Sequence, residues 1–366
     1  MTKIKVMTVF GTRPEAIKMA PVVLELKKQA DVFETTVVVT AQHREMLDQI
    51  LTTFEIKPDY DLNIMGKEQT LADITTNVLT KLDPIIKENK PDIVLVHGDT
   101  STTFVASLAA FYNQVKVGHV EAGLRTHNKY SPFPEEVNRQ LTGIIADIHF
   151  APTEEAKENL LIENKKPETI YVTGNTVIDA LKTTVSRERV MTKTDKRTIL
   201  VTVHRRENLG ENMRQIFSSI KRIVQTHKDV EVVYPMHLNP KVRELAKEIL
   251  GQEDRIKLIE PLDVVDFHNL IAESYLVMTD SGGLQEEAPS FGVPVIVLRD
   301  TTERPEGVTA GTLKLAGTNE SEIFKLTDEL LTNQVMYQQM SEAKNPYGDG
   351  KASQRIAKII KESFKS

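Results

Sequence analysis

Short apolar, β-branched runs alternate along the whole chain with longer stretches in which apolar residues recur at helical spacing. Strand-like runs fall at Ile4 to Phe10, Thr35 to Thr40, Ile93 to His97, Val115 to Val120, Ile148 to Ala151 and Ile170 to Val172. A second set falls at Thr198 to Val203, Glu231 to Pro235, Ile256 to Ile259, Tyr275 to Thr279 and Val293 to Leu298. Parallel neighbours in a sheet need a crossover, and a helix is its usual form, so this alternation predicts βα units. Its recurrence in both halves predicts an α/β protein with two Rossmann-like parallel-sheet domains, residues 1–173 and 198–350. Residues 174–197 read as a linker that includes a helix from Thr176. Its charged run, Arg187-Glu188-Arg189 and Lys193 to Arg197, reads as a solvated face and not a binding site. After the turn-rich Asn345-Pro346-Tyr347-Gly348-Asp349-Gly350, residues 351–366 read as a terminal amphipathic helix that crosses back onto the first domain.

Length agrees with this division, since 366 residues exceed what one core usually serves. The apolar fraction of 40% and charged fraction of 27% are those of a folded globular chain. A net charge of -6 disfavours a general nucleic-acid binder and leaves room for a local basic pocket. With no cysteine, disulfides, thiolate nucleophiles and cysteine-bearing zinc sites are excluded. The start, Met1-Thr2-Lys3-Ile4-Lys5, leads into a strand without the apolar stretch of a signal peptide or membrane span, so a cytoplasmic location and no membrane contact are expected.

Ligands of open α/β sheets bind beyond the carboxyl ends of the strands, and those positions are unusually polar in this chain. Gly11-Thr12-Arg13-Pro14-Glu15 follows the first strand, with Lys18 a turn into the helix that Pro14 opens. A glycine turn at a helix start beside two cations can hold an anion through backbone N–H groups; the plainer reading is a tight turn with two surface cations. His97-Gly98-Asp99-Thr100-Ser101 follows another strand, and Asp99 is a candidate helix cap as well as a candidate acid or base. Glu121-Ala122-Gly123-Leu124-Arg125 and Phe133-Pro134-Glu135-Glu136, with Arg139 a turn on, complete the acidic set. Three carboxylates from adjacent connections point to acid/base work, because crowding separates their proton affinities.

In the second half, His204-Arg205-Arg206-Glu207-Asn208 and Pro235-Met236-His237 follow strands, and each histidine reads equally as structural. Thr279-Asp280-Ser281-Gly282-Gly283-Leu284-Gln285-Glu286-Glu287-Ala288 is the most specific run. Its glycines allow close backbone approach at a helix start, which suits a diphosphate, and Glu287 is placed for sugar or ribose hydroxyls. Gly-x-Gly-x-x-Gly after a strand, a Walker A loop and His-Glu-x-x-His are all missing, and the nine histidines lack metal-ligand spacing, so no cofactor and no metal is implied.

These runs, with Phe10 to Lys18, Gly118 to Arg125, Ser131 to Glu136, Asp280 to Ser290 and Arg299-Asp300-Thr301-Thr302-Glu303-Arg304-Pro305-Glu306, closely resemble the non-hydrolysing UDP-N-acetylglucosamine 2-epimerases of bacterial wall and capsule pathways over nearly the full length. The resemblance implies the two-domain glycosyltransferase B architecture with an interdomain cleft, a homodimer, and UDP-N-acetylglucosamine, UDP-N-acetylmannosamine and UDP as ligands. It implies Asp99, Glu121, Glu135 and His204 as catalytic groups, and Arg13, Lys18 and Arg139 at the nucleotide sugar. Leu262 and Phe267 would flank uracil, Ser281, Gly282 and Gly283 the diphosphate, Glu287 the ribose, with Arg304 completing the site. Some members bind a second UDP-N-acetylglucosamine as activator; Gln42, Glu135, Arg205 and His237 match residues of that role. The competing readings are a UDP-sugar glycosyltransferase, a hydrolysing epimerase and a silent sugar-nucleotide sensor.

Overall fold

The computed structural model describes residues 2–41, 44–66, 69–185 and 195–364. The chain divides into two units, residues 1–183 with 347–366, and residues 184–346. In the first, strands β1 (Ile4–Phe10), β2 (Phe33–Val39), β3 (Tyr60–Asp61), β4 (Ile93–His97), β5 (Lys116–Val120), β6 (Ile148–Ala151) and β7 (Ile170–Val172) form one parallel sheet in the order β3-β2-β1-β4-β5-β6-β7. Central strands covered by helices on both faces have no solvent side, so Ile93 to Val96 reads as a continuous apolar run, Val6 to Phe10 as one broken only by Thr8, and all of these residues are buried. Register pairs Val6 with Ile93 and Met7 with Val94. The helix Ser101–Tyr112 lies close because the residues it buries include Ala106, Ala109 and Ala110.

The terminal helix Ala352–Ser363 belongs to this unit and packs against the helix Arg13–Lys28. Its start is capped from a distance: the Asp179 carboxylate accepts from the backbone N–H groups of Ala352 (3.1 Å) and Ser353 (2.8 Å) and from the Ser353 hydroxyl (2.5 Å). Asp179 sits on the helix Thr176–Thr184, inside the segment read from sequence as linker. That helix is part of the first unit, which therefore runs to residue 183 and resumes at 347 instead of 351. Most of the expected charged linker face, Arg187-Glu188-Arg189 and Lys193 included, lies outside the described residues.

The second unit carries β8 (Arg197–Thr202), β9 (Val230–Pro235), β10 (Ile256–Ile259), β11 (Leu276–Thr279), β12 (Val295–Val297) and β13 (Leu313–Leu315), all parallel, in the order β10-β9-β8-β11-β12-β13. The helix Glu211–Thr226 buries Met213, Ile216, Phe217, Ile220, Ile223 and Val224, a stripe at helical spacing. Each such side chain contributes about 1.5–3 kcal/mol on full burial. Both sheets reverse winding direction between two named strands, β1 and β4 in one and β8 and β11 in the other, which is where an open α/β sheet offers its crevice. Among the described residues no helix is long and apolar enough to cross a membrane.

Three histidines lie inside the first unit on neighbouring strands: His97 on β4, His119 on β5 and His149 on β6, the last two directly in register. Burial pushes their pKa values down to about 4, 3 and 4 respectively. The unfolded chain binds these protons near the ordinary value, so their contribution to stability is complete above about pH 6.5 and is lost as pH falls toward 4. With about 1.4 kcal/mol per pH unit for each group, the limiting slope is about 4 kcal/mol per pH unit. Urea unfolding between pH 7 and 4.5 measures it; His149→Gln should flatten the slope by about a third, and stability independent of pH over that range would contradict the assignment.

Candidate active site

The loop after β1 does not hold an outside anion through its backbone. The Glu15 carboxylate occupies it, Oε2 accepting from Gly11 N (3.0 Å) and Thr12 N (2.7 Å) while Thr12 Oγ1 accepts from Glu15 N. This capping box consumes the donors that the sequence pattern offered to a phosphate. Glu15 also reaches across the switch point, its Oε1 accepting from Thr100 Oγ1 at 2.7 Å, and so ties the end of β1 to the end of β4. What remains for an anion are two side chains. Arg13 is half-buried and has no ion-pair partner among the described residues. Lys18 places its Nζ on Glu121 Oε2.

Glu121 follows β5 in a left-handed conformation, φ +61°, which is uncommon for a residue with a side chain and is held only when its surroundings demand it. Those surroundings are Lys18, Asn175 Nδ2 donating to Oε2 at 2.9 Å, and His97 Nε2 at 3.8 Å. Neither ring nitrogen of the buried, neutral His97 has a hydrogen-bond partner among the described residues. Asn175 is itself fixed, with its N–H on the Tyr347 carbonyl (2.7 Å) and its Oδ1 accepting from Val177 N (3.1 Å).

Asp99 is not the cap of the following helix. Thr100 is, accepting from Thr103 N at 3.1 Å, which releases the Asp99 carboxylate to receive Arg139 Nη2 at 2.6 Å. Arg139 bridges to Glu136 (3.2 Å), and Asn138 Nδ2 donates to the Asp99 carbonyl (2.9 Å). Arg139 thus orients Asp99 in this structure. The acidic pair splits into two jobs: buried Glu136 accepts from Thr126 N (3.0 Å) and His127 N (3.1 Å), shaping the loop, while Glu135 opens the helix Glu135–Ile145 with a buried Oε2 that has no hydrogen-bond partner among the described residues. Burial would raise Glu136, but those N–H groups and Arg139 outweigh it and hold its pKa low. Asp99 therefore comes from the connection after β4, and Glu121 and Glu135 from the two ends of the connection after β5, at one end of one sheet.

In the second unit, His204 follows β8 and Asp280 follows β11, the two strands flanking the switch point. His204 Nδ1 lies 3.2 Å from Asp280 Oδ1, and its ring stacks on that of His237, centroids 5.6 Å apart. Burial and the nearby His204 lower the His237 pKa. Arg205 donates through Nε to the Asp280 carbonyl (2.9 Å) and lies 3.6 Å from Glu303. Burial would raise the Glu303 carboxyl, but Arg299, 2.7 Å away, holds it down to about 2. Arg304 donates through Nε to Glu286 at 2.8 Å, and a Cβ on Gly282 would stand 3.1 Å from its guanidinium carbon, so Gly282 lets the arginine lie over the helix start. The Ser281 N–H is taken by Thr279 Oγ1 (2.9 Å), whereas no side chain caps the helix Gly282–Glu287. Gly283 and Glu287 are neighbours, and a Cβ at Gly283 would stand 3.3 Å from Glu287 Oε1. Leu262 and Phe267 pack half-buried on this unit's core, and His268 Nε2, 3.8 Å from Glu287, joins the helix Val264–Glu273, which carries Phe267, to the ribose candidate. Among the described residues no group of three histidines or carboxylates is placed to hold a metal ion. Of the second-ligand set, Gln42 lies outside the described residues.

Sequence reasoning passed over Glu15, Asn175 and Asp280. Glu15 and Asp280 stand inside the polar runs that follow β1 and β11; Asn175 carried no signal beyond the glycine turn before it.

The family model described as UDP-N-acetylglucosamine 2-epimerase matches residues 25–361. The UDP-N-acetylglucosamine 2-epimerase of Bacillus subtilis is 65% identical over 364 residues, 98% of this chain and 96% of that protein. A Neisseria meningitidis UDP-GlcNAc 2-epimerase solved with UDP-GlcNAc superposes with a TM-score of 0.89 at 49% identity, covering 98% of this chain and all of that one. A Staphylococcus aureus structure, MnaA with UDP, gives 0.87 at 59% identity, covering 98% and 96%. With the model matched over most of its length and relatives this similar across almost all of it, the chain belongs to the UDP-N-acetylglucosamine 2-epimerase family.

Proposed function

We propose that this protein interconverts UDP-N-acetylglucosamine and UDP-N-acetylmannosamine without an oxidation step. The observation that carries the proposal is the array at the first switch point: Asp99, Glu121 and Glu135 with Arg139 and Lys18 bound among them, more acid/base equipment than transfer from an activated donor requires. The hydrogen on carbon 2 has no adjacent carbonyl, so direct deprotonation is prohibitive. Elimination avoids the problem. The carbon 2 proton goes to a carboxylate, the carbon 1–oxygen bond breaks with its electrons leaving on UDP, and a neutral 2-acetamidoglucal forms. Re-addition of UDP with a proton on the opposite face gives the epimer. Two faces require more than one proton-transfer group, and Asp99, Glu121 and Glu135 fill that need. Arg13, Arg304, His204 and the N–H groups at Gly282 and Gly283 answer the charge that grows on the departing diphosphate. Leu262, Phe267 and Glu287 serve the uridine.

Proton NMR in deuterated water with UDP-N-acetylglucosamine alone tests this. UDP-N-acetylmannosamine carrying deuterium at carbon 2 is the expected product. Free UDP with N-acetylmannosamine would instead identify a hydrolysing enzyme, and turnover only after adding an acceptor would identify a glycosyltransferase.

A further inference from the structure

The second switch point holds a carboxylate that the proposed mechanism does not use. Asp280 is wholly buried at the end of β11. Its Oδ2 accepts from His204 N (3.0 Å), Arg205 N (2.9 Å) and Asn208 Nδ2 (2.9 Å), and its Oδ1 faces both His204 N and His204 Nδ1 at 3.2 Å. Given the proposed role of His204 at the leaving diphosphate, on which the inference rests, we infer that Asp280 is its positioning residue: it fixes the imidazole with Nδ1 protonated and Nε2 presented to the phosphate oxygens.

An ionised carboxylate only accepts hydrogen bonds, so the ring nitrogen facing it must carry a hydrogen. Asp280 is ionised in this setting, since the His204 side chain and the N–H groups of Arg205 and His204 outweigh burial and lower its pKa. A proton on Nδ1 leaves Nε2 as the acceptor in the neutral ring and as the outward donor in the charged one. Ring rotation is opposed by His237, stacked within 18° of parallel. The backbone bonds from His204 and Arg205 hold the same residue's main chain, so one buried anion sets both the place of the loop and the tautomer of the ring. A buried aspartate needed only for the loop would not require its second oxygen at the imidazole. Both partners follow strands that are neighbours only at the reversal of strand order, which explains why residues 76 positions apart meet there.

The test combines a double-mutant cycle with histidine nitrogen NMR on the full chain. Asp280→Asn should lower kcat about 10–100-fold with little change in KM, because the amide tolerates the wrong tautomer. In a His204→Gln background the same change should cost less than about twofold, since the ring through which it acts is gone. An equal loss in both backgrounds, or near-normal kcat in Asp280→Asn beside a crippled His204→Gln, would overturn the inference. In the wild-type protein, the resonances missing from His204→Gln should report a ring protonated at Nδ1. This needs no Asp280 variant, and a neutral ring carrying its proton on Nε2 alone would overturn the inference even if Asp280→Asn failed to fold. A fully active His204→Gln enzyme would remove the role of His204 and with it the kinetic half of the inference, whatever the tautomer.

Discussion

Glu121→Gln is expected to lower kcat by about 10²–10⁴-fold, the usual range for removing a proton-transfer group. The substitution keeps the shape of the side chain and removes its charge and its ability to accept a proton. Shape matters at this position, because the residue adopts φ +61° between β5 and the loop beyond it, and glutamine adds no further strain. Charge matters more. Lys18 and Asn175 both meet Oε2, so the amide must either offer its oxygen to both or turn its nitrogen on the lysine. Losing the charge partner of a lysine whose side chain is mostly buried costs about 1–3 kcal/mol, which the protein should survive with its circular dichroism unchanged. Asp99→Asn should behave similarly, with Arg139 retained on Glu136. Kinetics separate chemistry from binding. A group acting in proton transfer depresses kcat and kcat/KM together and suppresses deuterium incorporation at carbon 2; one that merely binds raises KM. Near-normal turnover by both variants with the fold intact would defeat the acid/base assignment.

The strands were legible because parallel strands carry their identity in composition: the buried Ile93–His97 and Ile148–Ala151, the largely buried Ile4–Phe10, and the partly exposed edge strands Ile170–Val172 and Ile256–Ile259, marked by short apolar, β-branched runs, have the bounds read from sequence. The strands β3 and β13 escaped because Tyr60-Asp61 and Leu313-Lys314-Leu315 hold no β-branched residue, whereas β7, as short as β13 and also at a sheet edge, reads Ile-Tyr-Val. The candidate site was legible for a related reason. A polar residue immediately after an apolar strand lies at the carboxyl end of the sheet, so Asp99, Glu121, His204 and Ser281 could be placed there before any geometry. What the pattern could not settle was which polar group serves which. Thr100 and not Asp99 caps its helix, Glu135 and Glu136 part company within one helical turn, and Asn175 reaches Glu121 from a segment read as linker. Such choices depend on contacts between residues distant in sequence, where local propensity is silent.

The largest stability effect is expected at Glu15, the residue that turned an apparent anion cradle into an internal brace. Glu15→Ala would orphan the buried N–H groups of Gly11 and Thr12 and cut the bond from Thr100, a loss of about 3–5 kcal/mol, taking about 1–3 kcal/mol for each stranded donor. Activity should fall as well, since the ends of β1 and β4 would lose their tie beside Lys18 and Asp99. Glu15→Gln should cost only about 1 kcal/mol at neutral pH, because its carbonyl oxygen can still accept from both N–H groups while its amide faces the Thr100 hydroxyl, which can turn to accept. The pH dependence distinguishes the two oxygen chemistries. Burial, against the pull of Thr100, Gly11 and Thr12, raises the Glu15 pKa above its ordinary 4.5. A carboxyl with a raised folded value is most stabilising below the unfolded value and loses that contribution as pH rises through the folded one. Wild type should therefore lead Glu15→Gln by the widest margin at acid pH, with the gap narrowing toward neutrality, opposite in sign to the buried histidines. Urea unfolding of the pair at matched pH values reads the gap directly; a gap that widens with pH would mean that Glu15 is stabilised as the anion and that the brace works by charge.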